Sequence, residues 1–348
     1  MRILVVTQAV DADSSTLGFF VEWLREFSGR CERVDVIALS VGRHDLPANV
    51  RVVSMGKERG IGRLGRLLAY WRHLLKLLPE TDGVFIHMCP EYLLAGWPLL
   101  VFRRLPTVFW YAHRSRNLLA RAAMPLATHL ATSVPGAVTL AAANIRFLGQ
   151  GIPTELFRPL PLLVGSPFRL VVVGRITPIK RLDLLIDALA LLRGRGIDAA
   201  LEFWGEPAAA GDAAYAVSLR ERAVAASVSG RVRFLGRVPF ARMPEKYGGV
   251  SVAWNACADG AVDKAVLEAM ACARPVVVTN HVFSGTFGPD ADACLADGTA
   301  ESIAEKTAKI LSGPGGLALG LRLRETVVAH HGLPGLVNGI IDLMDSKR

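Results

Sequence analysis

The sequence predicts an α/β protein made of two successive units, each a parallel sheet flanked by helices. Three observations carry this expectation. Short, almost unbroken apolar runs recur, such as Phe168-Arg169-Leu170-Val171-Val172-Val173, the pattern of strands buried on both faces. Between them lie stretches with apolar residues at helical spacing, as at Leu182, Leu185, Ile186, Leu189 and Leu192. The alternation is completed once before the Pro/Gly-rich stretch 149–167, which reads as a linker, and again after it. At 348 residues the chain is long enough for two domains with sizeable cores.

Taken in order, Arg2 to Thr7 is the first strand and Gln8 to Thr16 a polar loop. A helix opens at Leu17-Gly18-Phe19-Phe20 and runs to Phe27. Within the loop, Asp11-Ala12-Asp13 resembles a carboxylate pair for a divalent metal, but such triplets are common and it is read as solvated. Strands follow at Val34–Leu39 and Val50–Ser54. Residues 61–78 form a basic amphipathic helix. Leu64, Leu67, Leu68, Trp71, Leu74, Leu75 and Leu78 make one broad apolar face, with Arg63, Arg66, Arg72 and Lys76 mostly elsewhere. The pattern fits a helix on a membrane surface and equally a helix packed on a sheet; the second is the ordinary reading. Strands at 83–87 and 107–113 each end in a histidine, His87 and His113, and 130–133 and 145–148 are short strands. In the second half, strands are expected at 168–173, 201–204, 232–236, 250–254 and 275–279, with helices at 181–193, 214–226 and 262–272.

Composition narrows the function classes. Apolar residues make up 51% and charged residues 20%, which excludes a disordered chain. No apolar run approaches the ~18–20 residues of a membrane span, and the first strand is too short for a signal-peptide core. Five cysteines at 31, 89, 257, 272 and 294 form neither a metal pattern nor a disulfide framework, which points to the cytoplasm. The net charge is +9, of which +7 falls in residues 1–160. Such an excess suits anionic lipid, an anionic acceptor or nucleic acid; no nucleic-acid recognition motif accompanies it. Neither Gly-x-Gly-x-x-Gly after the first strand nor a Gly-x-x-x-x-Gly-Lys-Ser/Thr loop occurs, which counts against a dinucleotide-dependent dehydrogenase and a P-loop enzyme.

The candidate site lies after the strand at 168–173. Arg175 and Lys180 stand in a turn between that strand and a helix, whose N-terminus itself favours anions. Two cations there suit a diphosphate, and ligands of open α/β sheets bind at the carboxyl ends of strands. Glu268 sits among small apolar residues, an expensive place for a carboxylate without a partner. Beside a diphosphate it suits a ribose diol; taken alone it reads as a helix-surface glutamate. Gly18 would either let a ligand approach the backbone or simply start the helix, and His87 and His113, at strand carboxyl ends, would either share a crevice or be satisfied polar residues.

At these residues the chain resembles the retaining glycosyltransferases of family 4, whose GT-B fold has two facing Rossmann-like domains. The resemblance covers nearly the whole chain. It is most specific at Gly174-Arg175 with Lys180-Arg181, and at Leu267-Glu268-Ala269-Met270-Ala271-Cys272 before Pro275-Val276-Val277. Segments 231–236, Gly151-Ile152 and Leu156-Phe157 agree less specifically. The resemblance implies an acceptor-side domain, 1–160, and a donor domain, 161–330. The last stretch, 331–348, is expected as a C-terminal helix, with a return to the first domain left open. It implies a nucleotide-diphosphate sugar donor, Arg175 and Lys180 on its diphosphate and Glu268 on its ribose. His113, matched to a family histidine, would contact donor sugar or acceptor, and His87 and Glu91 would shape the acceptor side.

One departure stands out. The family's second glutamate, eight positions before Glu268, is here Gly260, in Asp259-Gly260-Ala261-Val262-Asp263-Lys264. Either Asp259 replaces it after a one-residue shift, or Asp263 and Lys264 take over its contact with the donor sugar. The expected reaction is transfer to a glycan or lipid-linked sugar with retention of configuration. It needs no cofactor, and two cations plus a helix N-terminus stabilise the leaving diphosphate without a metal. Peripheral membrane contact through 61–78 belongs to the lipid-linked alternative. Competing expectations are a non-catalytic nucleotide-sugar or glycan-binding protein of the same fold, and a GT-B epimerase or phosphorylase.

Overall fold

A computed structural model of the chain describes residues 1–14, 16–113, 117–138, 145–161, 166–258, 260, 262–313 and 315–346. It divides into two compact units, Met1–Pro153 with His331–Arg348, and Thr154–His330.

The first unit is a seven-stranded parallel sheet of β1 (Arg2–Val10), β2 (Arg33–Val41), β3 (Val50–Ser54), β4 (Gly83–His87), β5 (Thr107–Trp110), β6 (His129–Thr132) and β7 (Ile145–Phe147). Their spatial order is β3-β2-β1-β4-β5-β6-β7, so the winding reverses between β1 and β4. Helices α1 (Phe20–Ser28), α2 (Arg63–Leu77), α3 (Pro90–Phe102) and α4 (Leu118–Ala123) cross between strands. Successive side chains of a strand point to opposite faces, and β1 shows why its sequence is a continuous apolar run. Ile3 and Val5 enter one core with Phe20, Trp23, Phe27, Leu336 and Ile340. Leu4 and Val6 enter the other with Tyr70, Leu74 and Leu93.

The second unit is a five-stranded parallel sheet of β8 (Phe168–Val173), β9 (Ala199–Trp204), β10 (Val232–Phe234), β11 (Val252–Asn255) and β12 (Val276–Val278). Its order is β10-β9-β8-β11-β12, with the reversal between β8 and β11. The helices are α5 (Leu182–Gly194), α6 (Ala210–Ala225), α7 (Met243–Tyr247), α8 (Lys264–Ala271), α9 (Ser284–Phe287), α10 (Ala291–Cys294), α11 (Ala300–Leu311) and α12 (Gly315–His331). The closing helix α13 (Leu333–Asp345) packs in the first unit, on α1, β4 and β5.

Several sequence expectations are corrected. β1 does not stop at Thr7: its pairing with β2 continues through Ala9–Ser40 and Val10–Val41, because a polar Gln8 costs an exposed strand end nothing. β5 ends at Trp110, so His113 lies three residues past the strand. The Pro/Gly-rich stretch does hold the boundary between the two units, Pro153/Thr154, but its first part is packed rather than solvated. Gln150, Gly151, Ile152, Thr154 and Phe157 are buried. Arg324 donates to the carbonyls of Thr154 and Phe157, and Arg274 to that of Leu160. Glycine and proline there mark backbone geometry, not exposure. The broad face expected on 61–78 is split: Tyr70, Leu74 and Leu77 are buried, whereas Leu64, Leu68, Trp71 and Leu75 face solvent.

Gly151 shows how tightly the first unit holds that stretch. Its φ is +64°, its carbonyl accepts from Trp23 Nε1 at 2.9 Å, and a Cβ there would lie 2.6 Å from the buried Trp23 ring. Gly151→Ala should therefore lower stability by about 2 kcal/mol, from left-handed strain plus overpacking. Gly194→Ala at the end of α5, where nothing crowds the position, should be neutral to slightly stabilising. Urea denaturation of both variants against the parent checks this.

Candidate functional site

In an open parallel sheet the crossovers on either side of a reversal leave in opposite directions, and the carboxyl edge between them is left uncovered. In the second unit that gap lies between β8 and β11. Gly174 and Arg175 follow β8, and Asn255 ends β11 with Ala256 and Cys257 after it. The N-terminus of α8 enters the same gap.

Lys180 is brought there by a single-turn 3-10 segment, Pro178–Lys180. Its side chain crosses directly over Gly174: a Cβ on Gly174 would stand 2.8 Å from Nζ and 3.0 Å from Cε. The φ of Gly174, +128°, is also one that a side chain disfavours. Gly205, at the end of β9, is closer still, since its Cβ would fall on the Gly174 carbonyl oxygen. Glycine at these two strand ends lets the backbones and the lysine close up.

The Lys180 ammonium donates to the Asp263 carboxylate. Asp263 also accepts from Asn255 Nδ2 at 2.9 Å and, as the cap of α8, from Ala265 N at 3.2 Å. Burial works against both charges. The pairing overcomes it: the Lys180 pKa is raised and that of Asp263 held below the ordinary carboxylate range. Asn255 in turn accepts from Cys257 N at 3.2 Å. Arg175 is exposed beside this pair and acts on Lys180 electrostatically.

One turn into α8, Glu268 is buried, so it is not a helix-surface residue. Burial pushes its carboxyl up and the Lys264 ammonium down, and each is held back by the other's charge across the i,i+4 step. Gly260 lies in a bend ahead of the helix, with no side chain to offer; Asp259 lies outside the described residues. Asp263 is already engaged three ways, as cap, counter-ion and acceptor.

The N-terminus of α5, expected to help hold an anion, is occupied. The N–H groups of Leu182 and Asp183 donate to Tyr215 Oη at 2.8 and 3.3 Å, and that hydroxyl donates to Asp183 at 2.7 Å. The helix N-terminus at the gap is that of α8. Sequence reasoning also missed Asn255. It is the polar residue ending the apolar run Val252-Ala253-Trp254, and a polar strand end beside a reversal is the signal that finds it.

In the first unit the reversal between β1 and β4 gathers Gly18, His87 and Glu91. Gly18 is buried in the turn before α1 and Glu91 is exposed in the first turn of α3. His87 is buried, stacked on Phe20 with ring centroids 4.5 Å apart and Nδ1 3.3 Å from Thr7 Oγ1. Met88 beside it has a φ of +56°, an uncommon conformation for a side-chain-bearing residue. His113 is exposed after β5.

Residues 167–313, most of the second unit, match the family model for glycosyl transferases group 1. No curated protein sequence matches the chain. Among solved structures it is similar to HepE of Anabaena in complex with UDP and glucose, at 18% identity over 100% of both chains with a TM-score of 0.78. It is similar to sucrose-phosphate synthase of Thermosynechococcus elongatus, at 15% identity over 99% of this chain and 98% of that one, TM-score 0.77. WaaG, a glycosyltransferase involved in lipopolysaccharide biosynthesis, aligns at 15% identity over 99% and 100%, TM-score 0.67. These likenesses show the fold: the chain has the GT-B fold, two Rossmann-like units of parallel strands flanked by helices.

The Lys180–Asp263 pair has a defined pH window. A depressed carboxyl pKa stabilises the fold above its unfolded value and loses that contribution as pH falls through the folded one. A raised lysine pKa stabilises below its unfolded value and loses the contribution as pH rises through the folded one. Asp263→Asn keeps the helix cap but removes the charge. It should cost roughly 2 kcal/mol near neutrality and flatten the loss of stability below about pH 4. Thermal midpoints of parent and variant across that range check both.

Proposed function

We propose that the protein is a retaining glycosyltransferase that transfers a sugar from a nucleoside-diphosphate donor to a glycan or lipid-linked acceptor. The observation that carries this reading is the gap between β8 and β11. There Lys180, laid over Gly174, and Arg175 flank the N-terminus of α8, with Glu268 buried one turn further in. All of these residues fall within the stretch that matches the glycosyltransferase family model.

The roles follow from charge. Cleavage of the bond between the anomeric carbon and phosphate oxygen leaves negative charge on the departing diphosphate. In this reading Lys180, held by Asp263, and the exposed Arg175 beside it face the developing charge, and preorganised cations stabilise a transition state without reorganising. Lys180 reaches the reaction already charged, because Asp263 raises its pKa. Glu268, once ionised, accepts from the two ribose hydroxyls, and Lys264 favours that ionised form. The acceptor hydroxyl attacks on the face the diphosphate leaves and gives its proton to a leaving phosphate oxygen, so configuration is retained. Gly260 supplies no carboxylate to the donor sugar, and Asp259, Asp263 and Lys264 are the charged groups nearest in sequence to take that place. Gly18 and Glu91 are assigned to the acceptor side, where buried His87 shapes the sheet edge rather than touching substrate. His113 is assigned to donor sugar or acceptor on the resemblance. The five cysteines are free thiols, which supports the cytoplasmic placement.

A second reading, a binding protein without turnover, is favoured by one feature: the missing carboxylate at Gly260 together with an Asp263 that already occupies Lys180. Turnover separates the two. The structures of HepE hold UDP with glucose, and UDP-glucose, so UDP-sugars are the first donors to test. Nucleoside diphosphate release in the presence of acceptor, with the product anomer read by NMR, supports transfer. Tight donor binding without release in any combination supports the second reading.

If transfer occurs, Arg175→Ala and Lys180→Ala should each lower kcat by about two to three orders of magnitude with the fold intact. Near-parental turnover in either would overturn the diphosphate assignment. Glu268→Gln should weaken donor binding about tenfold and shrink the preference for ribose over 2′-deoxyribose donors, as a charge-assisted hydrogen bond becomes a neutral one. Calorimetry with both donor types reads this.

A further inference from the structure

The splitting of the α2 apolar face leaves hydrophobic surface that no element among the described residues covers. Leu64, Leu68, Trp71 and Leu75, at i, i+4, i+7 and i+11, form one stripe that is 71%, 58%, 45% and 59% exposed. The opposite side of the same helix is filled by Tyr70, Leu74 and Leu77 in the core, so the stripe is surplus to folding. Helix α3 lies alongside. Tyr70 Oη donates to Tyr92 O at 2.8 Å and Trp71 Nε1 to Ala95 O at 3.2 Å, and Gly96 of α3 is crowded against Tyr70. Helix α3 adds its own exposed apolar residues, Val101 at 45% and Phe102 at 84%. Soluble surfaces rarely present apolar side chains in such density without an interaction to serve.

Charge identifies the partner. The segment 61–78 carries Arg63, Arg66, Arg72 and Lys76, and 92–106 carries Arg103 and Arg104; neither segment contains an acidic residue. Arg63, Arg72, Lys76, Arg103 and Arg104 are exposed. A second copy of the chain docked through this face would bring two such cationic sets together, which opposes association. A surface that is anionic at its rim and apolar beneath satisfies both features at once. Trp71 has an apolar body and an N–H held by a carbonyl, the amphipathic character that suits a tryptophan to the headgroup level. No helix among the described residues is long and apolar enough to cross a membrane, so the contact is peripheral.

We infer that the face formed by α2 and the end of α3 docks the first unit onto an anionic lipid surface, with Leu64, Leu68, Trp71, Leu75 and Phe102 entering the interface and the arginines and Lys76 on headgroups. This inference does not depend on the donor-site reading, and its test involves no substrate. The protein is sedimented with vesicles of equal parts phosphatidylcholine and phosphatidylglycerol, and with phosphatidylcholine alone, at low and high salt. The parent should pellet with the anionic vesicles at low salt, be released as salt screens the charges, and stay in solution with the neutral ones. Each cation near an anionic surface strengthens partitioning by roughly fivefold. Arg72→Glu with Lys76→Glu should therefore lower it more than tenfold. Leu64→Ser, Leu68→Ser and Leu75→Ser together should do the same. The altered side chains are exposed, so an unchanged thermal midpoint should confirm that the fold is kept.

Three results would overturn the inference. One is a parent protein that stays in the supernatant with anionic vesicles at low salt. Another is either variant binding as the parent does. The third is a concentration-dependent dimer in light scattering that the serine variant abolishes while no vesicle binding is seen, since the stripe would then serve a second copy.

Discussion

Parallel pairing is the constraint from which the rest of this molecule follows. Parallel strands need crossovers, crossovers cover both faces of the sheet, and strands buried on both faces must be apolar throughout. Every functional group is thereby pushed to the strand ends. Because the winding reverses once in each sheet, between β1 and β4 and between β8 and β11, each unit has one place at its carboxyl edge that no crossover covers. Lys180, Asn255 and Asp263 meet at one of these places, and Gly18, His87 and Glu91 lie at the other.

The second unit shows how a charged site is kept in such a fold. Lys180 is largely withdrawn from water, which by itself would favour the neutral amine. Asp263 reverses that preference, and the same carboxylate caps α8 and takes the Asn255 amide. One aspartate therefore fixes a lysine, a helix start and a strand end. Close approach is possible because Gly174 and Gly205 leave no Cβ in the way. Glu268 and Lys264 repeat the arrangement one turn on, with burial opposing both charges more strongly. Gly260, in the bend ahead of α8, adds no side chain to this cluster.

The first unit shows that an apolar pattern can serve two purposes on one helix. Helix α2 has more leucines than one core-facing stripe requires. Those at the Leu74 side complete the core with Tyr70, while those at the Leu64 side stay in solvent among cations. Periodicity records that a residue is apolar and where it falls around the helix; it carries no record of how wide a stripe the sheet will cover.

Much was legible in the chain alone. Unbroken apolar runs gave the parallel strands, and their doubling gave two units. Gly174-Arg175 with Lys180, and the segment around Glu268, marked the candidate site, because strand ends and helix starts are local and their chemistry is written in adjacent residues. Tertiary structure decided what depends on partners distant in sequence. Asp263 became the counter-ion of Lys180, 83 positions away. The α5 N-terminus was closed by Tyr215, and Glu268 was moved from surface to interior. His87 was sealed under Phe20; Gln150, Gly151, Ile152, Thr154 and Phe157 were buried despite a linker's composition, and half of the α2 leucines were left uncovered. In each case the residue's own neighbours in sequence are silent, since burial, ion pairing and exposure are set by whichever element packs against it.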